Sequence, residues 1–223
     1  MQHRSRHLFG PSLSTALAAI ALGFGLVAAP AVIAGAQVEE ELSASVQASL
    51  HAAISDLAAP RLVFTSESEA TAWLNEMSAR LATKIPDSTT RTDFLKTVHY
   101  EATRAGLDPQ LVLGLIQVES NFRKYAVSTA GARGFMQVMP FWVKLIGTPE
   151  HNLFHLRTSL RYGCTILRHY LTIEHGDYYR ALGRYNGSLG KPDYPNLVLA
   201  HWQKNWNYDR PKFVEAATNV KFK

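Results

Sequence analysis

The chain has little cysteine, no recognisable metal-ligand spacing and no internal repeat, and each absence excludes a class of protein. One Cys among 223 residues excludes a disulfide framework and Cys-rich zinc or iron–sulfur modules. There is no Gly-X-Y period, which excludes collagen, and no unit of roughly 20–50 residues recurs as it would in a solenoid. The nine His lack zinc-type spacing, so we expect neither a metal nor a cofactor.

The composition is that of a folded protein with a mild basic excess. Hydrophobic residues make up 47% of the chain and charged residues 18%, which excludes wholesale disorder. The net charge of +5 at pH 7 is spread along the sequence. Such a diffuse excess suits a polyanionic partner such as a cell wall or membrane surface. Because the sequence holds no nucleic-acid-binding motif, we expect no nucleic-acid partner.

The first 36 residues have the three-part pattern of a secretory signal peptide. Arg4 and Arg6 precede an apolar stretch at Ala16–Ala29, and Ala34-Gly35-Ala36 offers small residues at a cleavage site. We expect cleavage after Ala36, a periplasmic or secreted product, and no stable membrane span in that product. The alternative is an uncleaved segment that anchors the chain in the inner membrane.

The remainder is predicted to be mainly all-α. Stop and start signals such as Gly106 followed by Asp108-Pro109 separate short helices. Pro86 and the Ser-Thr-Thr run after it indicate a linker at Lys84–Thr90. We therefore predict a signal peptide at 1–36, a helical extension and linker at 37–90, a main helical domain at 91–210 and a tail at 211–223. Two of the predicted helices are Val38–Leu57 and Thr92–Arg104.

Glu119 is a carboxylate at a position where an apolar side chain is expected. On the helix that begins at Pro109, it falls within the arc formed by Val112, Leu115 and Ile116. Burial would raise the pKa of this carboxyl group and keep it protonated near neutral pH, as a general acid requires. Ser120 could hydrogen-bond the carboxylate. The alternative is a structural Glu that pairs with a buried Arg or turns to solvent.

Two later segments also carry polar groups among small or apolar residues. Gly134–Pro140 is a compact Met-rich piece in which Gln137 is the polar side chain, and Met136 is explained equally well as core filler. Arg184–Gly190 is a turn between helices whose polar groups could line a cleft or cap the chain reversal.

Together, the three segments resemble the lytic transglycosylases that have the soluble-lytic-transglycosylase catalytic domain, which is related in fold to goose-type lysozyme. The resemblance covers roughly residues 94–206. Phe135 stands where the family usually has Leu, and Arg184 where it usually has Ala. The matching segments are Glu119-Ser120-Asn121-Phe122, Gly134-Phe135-Met136-Gln137-Val138-Met139-Pro140 and Tyr185-Asn186.

This resemblance implies a lysozyme-like helical domain with peptidoglycan lytic transglycosylase activity, at 91–210. Such a lyase cleaves the β-1,4 bond between N-acetylmuramic acid and N-acetylglucosamine in the bacterial cell wall and forms 1,6-anhydro-muramic acid. Glu119 would act first as general acid and then as base. An enzyme of this kind needs one carboxylate, whereas ordinary glycosidases use two.

The resemblance also assigns supporting roles around Glu119. Tyr185 and Ser120 are implied to hold the catalytic carboxylate, and Gln137 and Asn186 to contact sugar or order the cleft. Met136 is a further supporting residue. The expected partner is the peptidoglycan glycan strand, bound by a monomer, with any cell-envelope machinery partner unspecified. A hydrolytic muramidase on the same fold and a catalytically inactive wall-binding module are the alternatives.

Overall fold

A computed structural model describes residues 36–55 and 58–208. The signal peptide predicted for 1–36 lies outside these residues apart from Ala36, and so does the tail predicted for 211–223. Within the described residues the chain forms eight α-helices, one π-helical turn and no strand beyond two isolated bridges, which confirms the mainly all-α prediction. These elements are α1 (Ala44–Ile54), α2 (Glu67–Leu81), α3 (Ser88–Arg104), α4 (Pro109–Ser120), α5 (Phe141–Ile146), α6 (Leu156–Ile173), α7 (Tyr178–Tyr185), α8 (Asp193–His201) and the π-helical turn (Trp202–Trp206). None of these helices is long and apolar enough to cross a membrane.

Short polar side chains begin most of the helices. Each accepts a hydrogen bond from a backbone N–H two or three residues further on, which satisfies a donor that the first helical turn leaves free. The helix start predicted at Asp108 is confirmed. The full set in the described chain is Ser43 for α1, Ser66 for α2, Asp87 for α3, Asp108 for α4 and Asp177 for α7.

Two helices differ from their predicted bounds. The helix predicted at Val38–Leu57 begins only at Ala44, because Ser43 caps it, and residues 36–43 before it are not helical. The helix predicted to start at Thr92 begins at Ser88. There Asp87 Oδ1 accepts the backbone N–H of Thr90 at 2.7 Å, which starts the helix inside the predicted linker.

Helix α4 is enclosed by its neighbours on nearly every side. It packs against α3, α8 and the π-helical turn, and every residue from Leu111 to Ile116 is buried. The face that carries Gly114 and Gln117 is packed as well. A Cβ added to Gly114 would lie 2.9 Å from Trp202 N, so glycine permits the close approach of the π-helical turn. Gln117 Oε1 accepts the indole N–H of Trp206 at 2.7 Å.

A buried charge cluster joins α1 to α3 and α6. Glu101 of α3 has no exposed surface and pairs with Arg161 at 2.9 Å and Arg104 at 3.0 Å. The same two arginines donate to the last carbonyl groups of α1, Arg104 to Ala53 O at 2.6 Å and Arg161 to Ile54 O at 3.3 Å. The predicted extension is therefore fixed to the predicted main domain through these hydrogen bonds from arginines to carbonyl groups, and the division at residue 90 stays a prediction.

Candidate active site

Glu119 lies in the last turn of α4, and its side chain is half-buried. The hydroxyl of Tyr194 donates a hydrogen bond to Glu119 Oε1. Burial raises the pKa of Glu119 from its ordinary 4.5 to about 8, and the bond from Tyr194 opposes this by stabilising the ionised form. The carboxyl group is thus mostly protonated at neutral pH, as a general acid must be.

The end of α4 is unusually abrupt. Asn121 and Phe122 both take the left-handed backbone conformation, with φ of 48° and 64°, immediately after Ser120. A bulky residue such as Phe is strained there, and the surrounding packing must hold it in place. Phe122 is buried and meets Trp206 at a ring-centroid distance of 5.4 Å. The chain therefore turns away directly after Glu119 and leaves the carboxyl group at a helix end.

Tyr194 is the site residue that the sequence analysis missed. It lies at the beginning of α8, next to Pro195, and it is buried. Burial and the charge of Glu119 raise the pKa of its hydroxyl well above 10, so the group stays a donor. It reaches Glu119 because α8 packs along α4. In the sequence, the Tyr-Pro pair indicates only the start of a helix. The contact with Glu119 arises from the packing of two helices that are distant in sequence, so no local pattern predicts it.

Ser120 and Tyr185 hold a loop, contrary to the expectation that they bond Glu119. Ser120 Oγ donates to Phe135 O at 2.8 Å and also reaches Ile116 O at 3.2 Å in the preceding turn. The hydroxyl of Tyr185 donates to Met136 O at 2.7 Å. Adjacent residues on a helix are about 100° apart, so Ser120 points away from its neighbour Glu119. Both side chains fix the loop that follows Gly134 against α4 and α7.

Gln137 keeps this loop in shape through its own side chain. Its backbone is left-handed, with φ of 49°, and its side chain is buried. Its Nε2 donates to Ala126 O and to Gly134 O, each at 3.0 Å. These bonds support the cleft-ordering role implied for Gln137, while contact with sugar stays a prediction.

Asn186 and Met136 also lie near this loop or the turn after α7. Asn186 Nδ2 donates to Ser188 Oγ at 2.9 Å, within the turn itself. The side chain of Met136 is fully buried, and a Cβ added to Gly163 of α6 would lie 2.4 Å from its sulfur. Met136 is therefore core filler, and only its backbone carbonyl takes part in holding the loop.

In the described chain, the acids that follow Glu119 either bond other groups or, like Asp193, are exposed. Glu174 pairs with Arg184 through a hydrogen bond of 2.7 Å and also with Arg180. Asp177 caps α7, and Glu150 is exposed. Among these acids, Glu119 is thus the one whose carboxyl group has a pKa raised by burial and a hydrogen bond from Tyr194.

His151, His155 and Cys164 occupy structural positions in the fold. His151 Nδ1 lies 2.7 Å from the hydroxyl of Tyr162, and His155 occupies the N-cap position of α6. Cys164 is buried, and burial together with the charge of Glu101 raises the pKa of its thiol. Among residues 36–55 and 58–208, no group of three His, Cys, Asp or Glu side chains could hold a metal ion.

Comparison with known proteins identifies the domain that contains this site. The family model of the Transglycosylase SLT domain matches residues 96–194. The chain is 51% identical over 47 residues to "Membrane-bound lytic murein transglycosylase C" of Actinobacillus pleuropneumoniae serotype 5b. It is 47% identical over 47 residues to proteins of the same name in Mannheimia succiniciproducens and Haemophilus influenzae.

These matches are short compared with the relatives themselves. Each covers 21% of this chain and 13% of the relative. No solved structure gives a significant match. The all-helical architecture agrees with the lysozyme-like fold of the matched domain. Residues 96–194 are therefore similar to the Transglycosylase SLT domain, and a 47-residue segment of the chain is similar to lytic murein transglycosylases.

Proposed function

We propose that the protein cleaves the β-1,4 bond between N-acetylmuramic acid and N-acetylglucosamine in peptidoglycan and forms 1,6-anhydro-muramic acid. The observation that carries the proposal is the carboxyl group of Glu119, whose pKa burial raises to about 8 while Tyr194 holds one of its oxygens. The matched SLT domain and the names of the relatives support the same reaction class.

In the proposed first step, protonated Glu119 gives its proton to the glycosidic oxygen as the bond to the anomeric carbon breaks. The leaving sugar departs with that proton as a free hydroxyl, and Glu119 becomes a carboxylate. The hydrogen bond from Tyr194 stabilises this charged form, in accordance with its lowering effect on the pKa. The N-acetyl oxygen of the muramoyl residue stabilises the positive anomeric centre.

In the second step, the carboxylate of Glu119 takes the proton of the muramoyl 6-hydroxyl. The oxygen of that hydroxyl attacks the anomeric carbon and closes the anhydro ring. Glu119 regains its proton, and no water is consumed. A single carboxylate is sufficient because the second nucleophile belongs to the substrate, in contrast to the two-carboxylate glycosidases. Glu174 and Asp177 are engaged in other contacts, which supports a mechanism with a single carboxylate.

We propose further that the protein acts on wall strands in the cell envelope. The signal pattern at 1–36 and the diffuse basic charge support export and contact with a polyanion. Cleavage after Ala36 gives a periplasmic or secreted enzyme, and an uncleaved segment gives one anchored in the inner membrane. We propose a monomer, bound to peptidoglycan.

The test is mass spectrometry of the soluble products from purified peptidoglycan incubated with the full chain. We expect fragments that end in 1,6-anhydro-muramic acid. The Glu119→Gln variant should lose at least about 100-fold in rate, because general acid–base catalysis is typically worth about that much or more. The matched control is Glu41→Gln, an exposed Glu outside the site, which should keep full activity.

Two outcomes would overturn the proposal in different ways. Products that end in reducing muramic acid would mean that water attacks, as in a muramidase. Wall binding without any products from the unaltered protein would indicate a non-catalytic binding module.

A further inference from the structure

Residues 36–40, here called the strap, lie across the loop that follows Gly134. Gln37 of the strap is buried, with 5% of its surface exposed. Its side-chain amide makes two hydrogen bonds to one stretch of backbone. Nε2 donates to Gln137 O at 3.1 Å, and Oε1 accepts the backbone N–H of Met139 at 2.8 Å. The amide thus pairs with the loop as a neighbouring strand would.

The strap also contacts the turn after α7. A Cβ added to Gly187 would lie 2.1 Å from Ala36 O, so the strap backbone passes directly over this glycine. At the other end of the strap, Glu40 pairs with Arg184 at 3.0 Å. The five residues therefore connect the Gly134–Pro140 segment to the turn that contains Asn186.

Three successive carbonyl groups of the loop are held by three separate parts of the chain. Phe135 O accepts from Ser120, Met136 O accepts from Tyr185, and Gln137 O accepts from Gln37. The first two donors hold the loop to the helices of the SLT domain. Gln37 alone among these donors lies outside residues 96–194. It holds the stretch from Gln137 to Met139, where the backbone takes its left-handed conformation.

We propose that Gln37 is a positioning residue for the glycan substrate. Its amide sets the backbone of residues 137–139, in the same loop that Ser120, the neighbour of Glu119, holds at Phe135 O. Substrate binding then depends on a residue outside the matched domain. The inference rests on the proposed function for its effect on catalysis, whereas its effect on the loop can be measured without any substrate.

The first experiment measures amide hydrogen exchange in the full chain. Gln37→Ala removes the acceptor for Met139 N–H, so we expect exchange of that amide to accelerate at least tenfold. The matched control is Gln47→Ala. Gln47 also donates from the N-terminal part of the chain to a backbone carbonyl, but to Leu145 of α5. This control should leave exchange at Met139 unchanged.

The second experiment measures turnover of soluble glycan strands of defined length. Gln37→Ala should raise KM several-fold with a smaller change in kcat. The pH at which activity falls on the alkaline side should not move, because Tyr194 and the surroundings of Glu119 are untouched. A generally loosened structure would instead lower kcat, shift the pH profile and lower the melting temperature together.

The Gln37→Glu variant supplies a rescue that a purely structural role would not show. At neutral pH the introduced carboxylate can accept from Met139 N–H but cannot donate to Gln137 O, so KM should rise as in Gln37→Ala. Below the usual Glu pKa of about 4.3, the protonated carboxyl can do both, and KM should return towards that of the unaltered protein.

Unchanged exchange at Met139 in Gln37→Ala would overturn the contact itself. Faster exchange with an unchanged KM would overturn the positioning role. An inactive unaltered protein would refute the proposed function. In that case binding of the same glycan strands, compared between the unaltered protein and Gln37→Ala, decides the inference: equal affinity refutes it and weaker binding by the variant supports it.

Discussion

The carboxyl group of Glu119 ionises more readily in the unfolded chain than in the folded protein, since burial raises its pKa from 4.5 to about 8. The folded state therefore favours the protonated form. Its contribution to stability is complete below about pH 4.5 and is lost as the pH rises through about 8. At neutral pH the proposed general acid therefore opposes folding.

Replacing Glu119 by Gln should consequently stabilise the protein at pH 7. The Gln side chain is uncharged in both the unfolded and the folded state, so no proton has to be taken up when it is buried. The free energy of unfolding should therefore rise by roughly 1–3 kcal/mol. The gain should shrink towards zero near pH 4, where the carboxyl is protonated in both states. Urea unfolding at pH 4 and pH 7 would measure the difference.

The control is Glu41→Gln, which makes the same chemical change on an exposed side chain. Its stability should match that of the unaltered protein at both pH values. A Glu119→Gln variant that is less stable at pH 7 than at pH 4, relative to the unaltered protein, would show that the carboxyl is ionised in the folded state.

At the scale of the structural elements, the loop that begins at Gly134 leaves no space for an added side chain at its first residue. Gly134 has a φ of 75°, and a Cβ there would lie 2.2 Å from Leu153 O and 2.9 Å from Ser159 Oγ. Gly131, three residues earlier, has a φ of 89° with no atom within 4 Å of such a Cβ. The two glycines share the backbone requirement but differ in their surroundings.

Gly134→Ala should therefore lower the free energy of unfolding more than Gly131→Ala does. Both variants bear the strain of a left-handed Ala, about 1–2 kcal/mol. Only Gly134→Ala must also displace the backbone at Leu153, so we expect an additional loss of about 1–3 kcal/mol and reduced glycan turnover. Thermal unfolding and product formation measured on both variants would check this. Equal losses would mean that the loop moves freely away from Leu153.

Local signals in the sequence were sufficient to predict most of the helices. They were not sufficient to predict which segments contact one another in the fold. Asp108 and Pro109 fix the start of α4 because both act within one turn of the chain. Glu119 could be singled out for a similar reason, since its place in an apolar arc depends on helix geometry alone. The bond from Tyr194 and the strap could not be foreseen, because each depends on segments at least 75 residues apart coming together.

The same distinction explains the altered role of Ser120. Its proximity to Glu119 in sequence suggested a bond between them, yet the hydroxyl donates to Phe135, 15 residues away. Sequence motifs show which residues share a site. They do not show which of those residues touch, because neighbours on a helix point in different directions.

At the scale of the whole molecule, the Glu101 cluster links the N-terminal helix to the SLT domain. Glu101 is completely buried, and Arg104 and Arg161 each bond both to it and to the carbonyl end of α1. Arg157 lies 3.5 Å from the same carboxylate. Loss of the carboxylate would leave several cations together in a low-dielectric environment, where unpaired charges are costly.

Glu101→Ala should accordingly destabilise the protein by about 3–5 kcal/mol, the range seen when one partner of a buried ion pair is removed. The control is Glu76→Ala, which removes a surface pair with Arg80 and should cost less than about 1 kcal/mol. Chemical denaturation would measure both. Similar costs for the two variants would mean that water reaches the Glu101 cluster freely.

The position of Gln37 gives the maturation of the chain a chemical consequence. A glutamine at a free amino terminus cyclises: its α-amine attacks the side-chain amide carbon and ammonia leaves. Cleavage directly after Ala36 would expose Gln37 to this reaction, and the resulting pyroglutamyl ring has lost the nitrogen that donates to Gln137 O. A cut even one residue earlier would keep both the amide and the Ala36 carbonyl that lies over Gly187. The peptide bond at which the chain is cut would thus decide whether the loop that follows Gly134 keeps the hydrogen bond from Gln37 to Gln137 O.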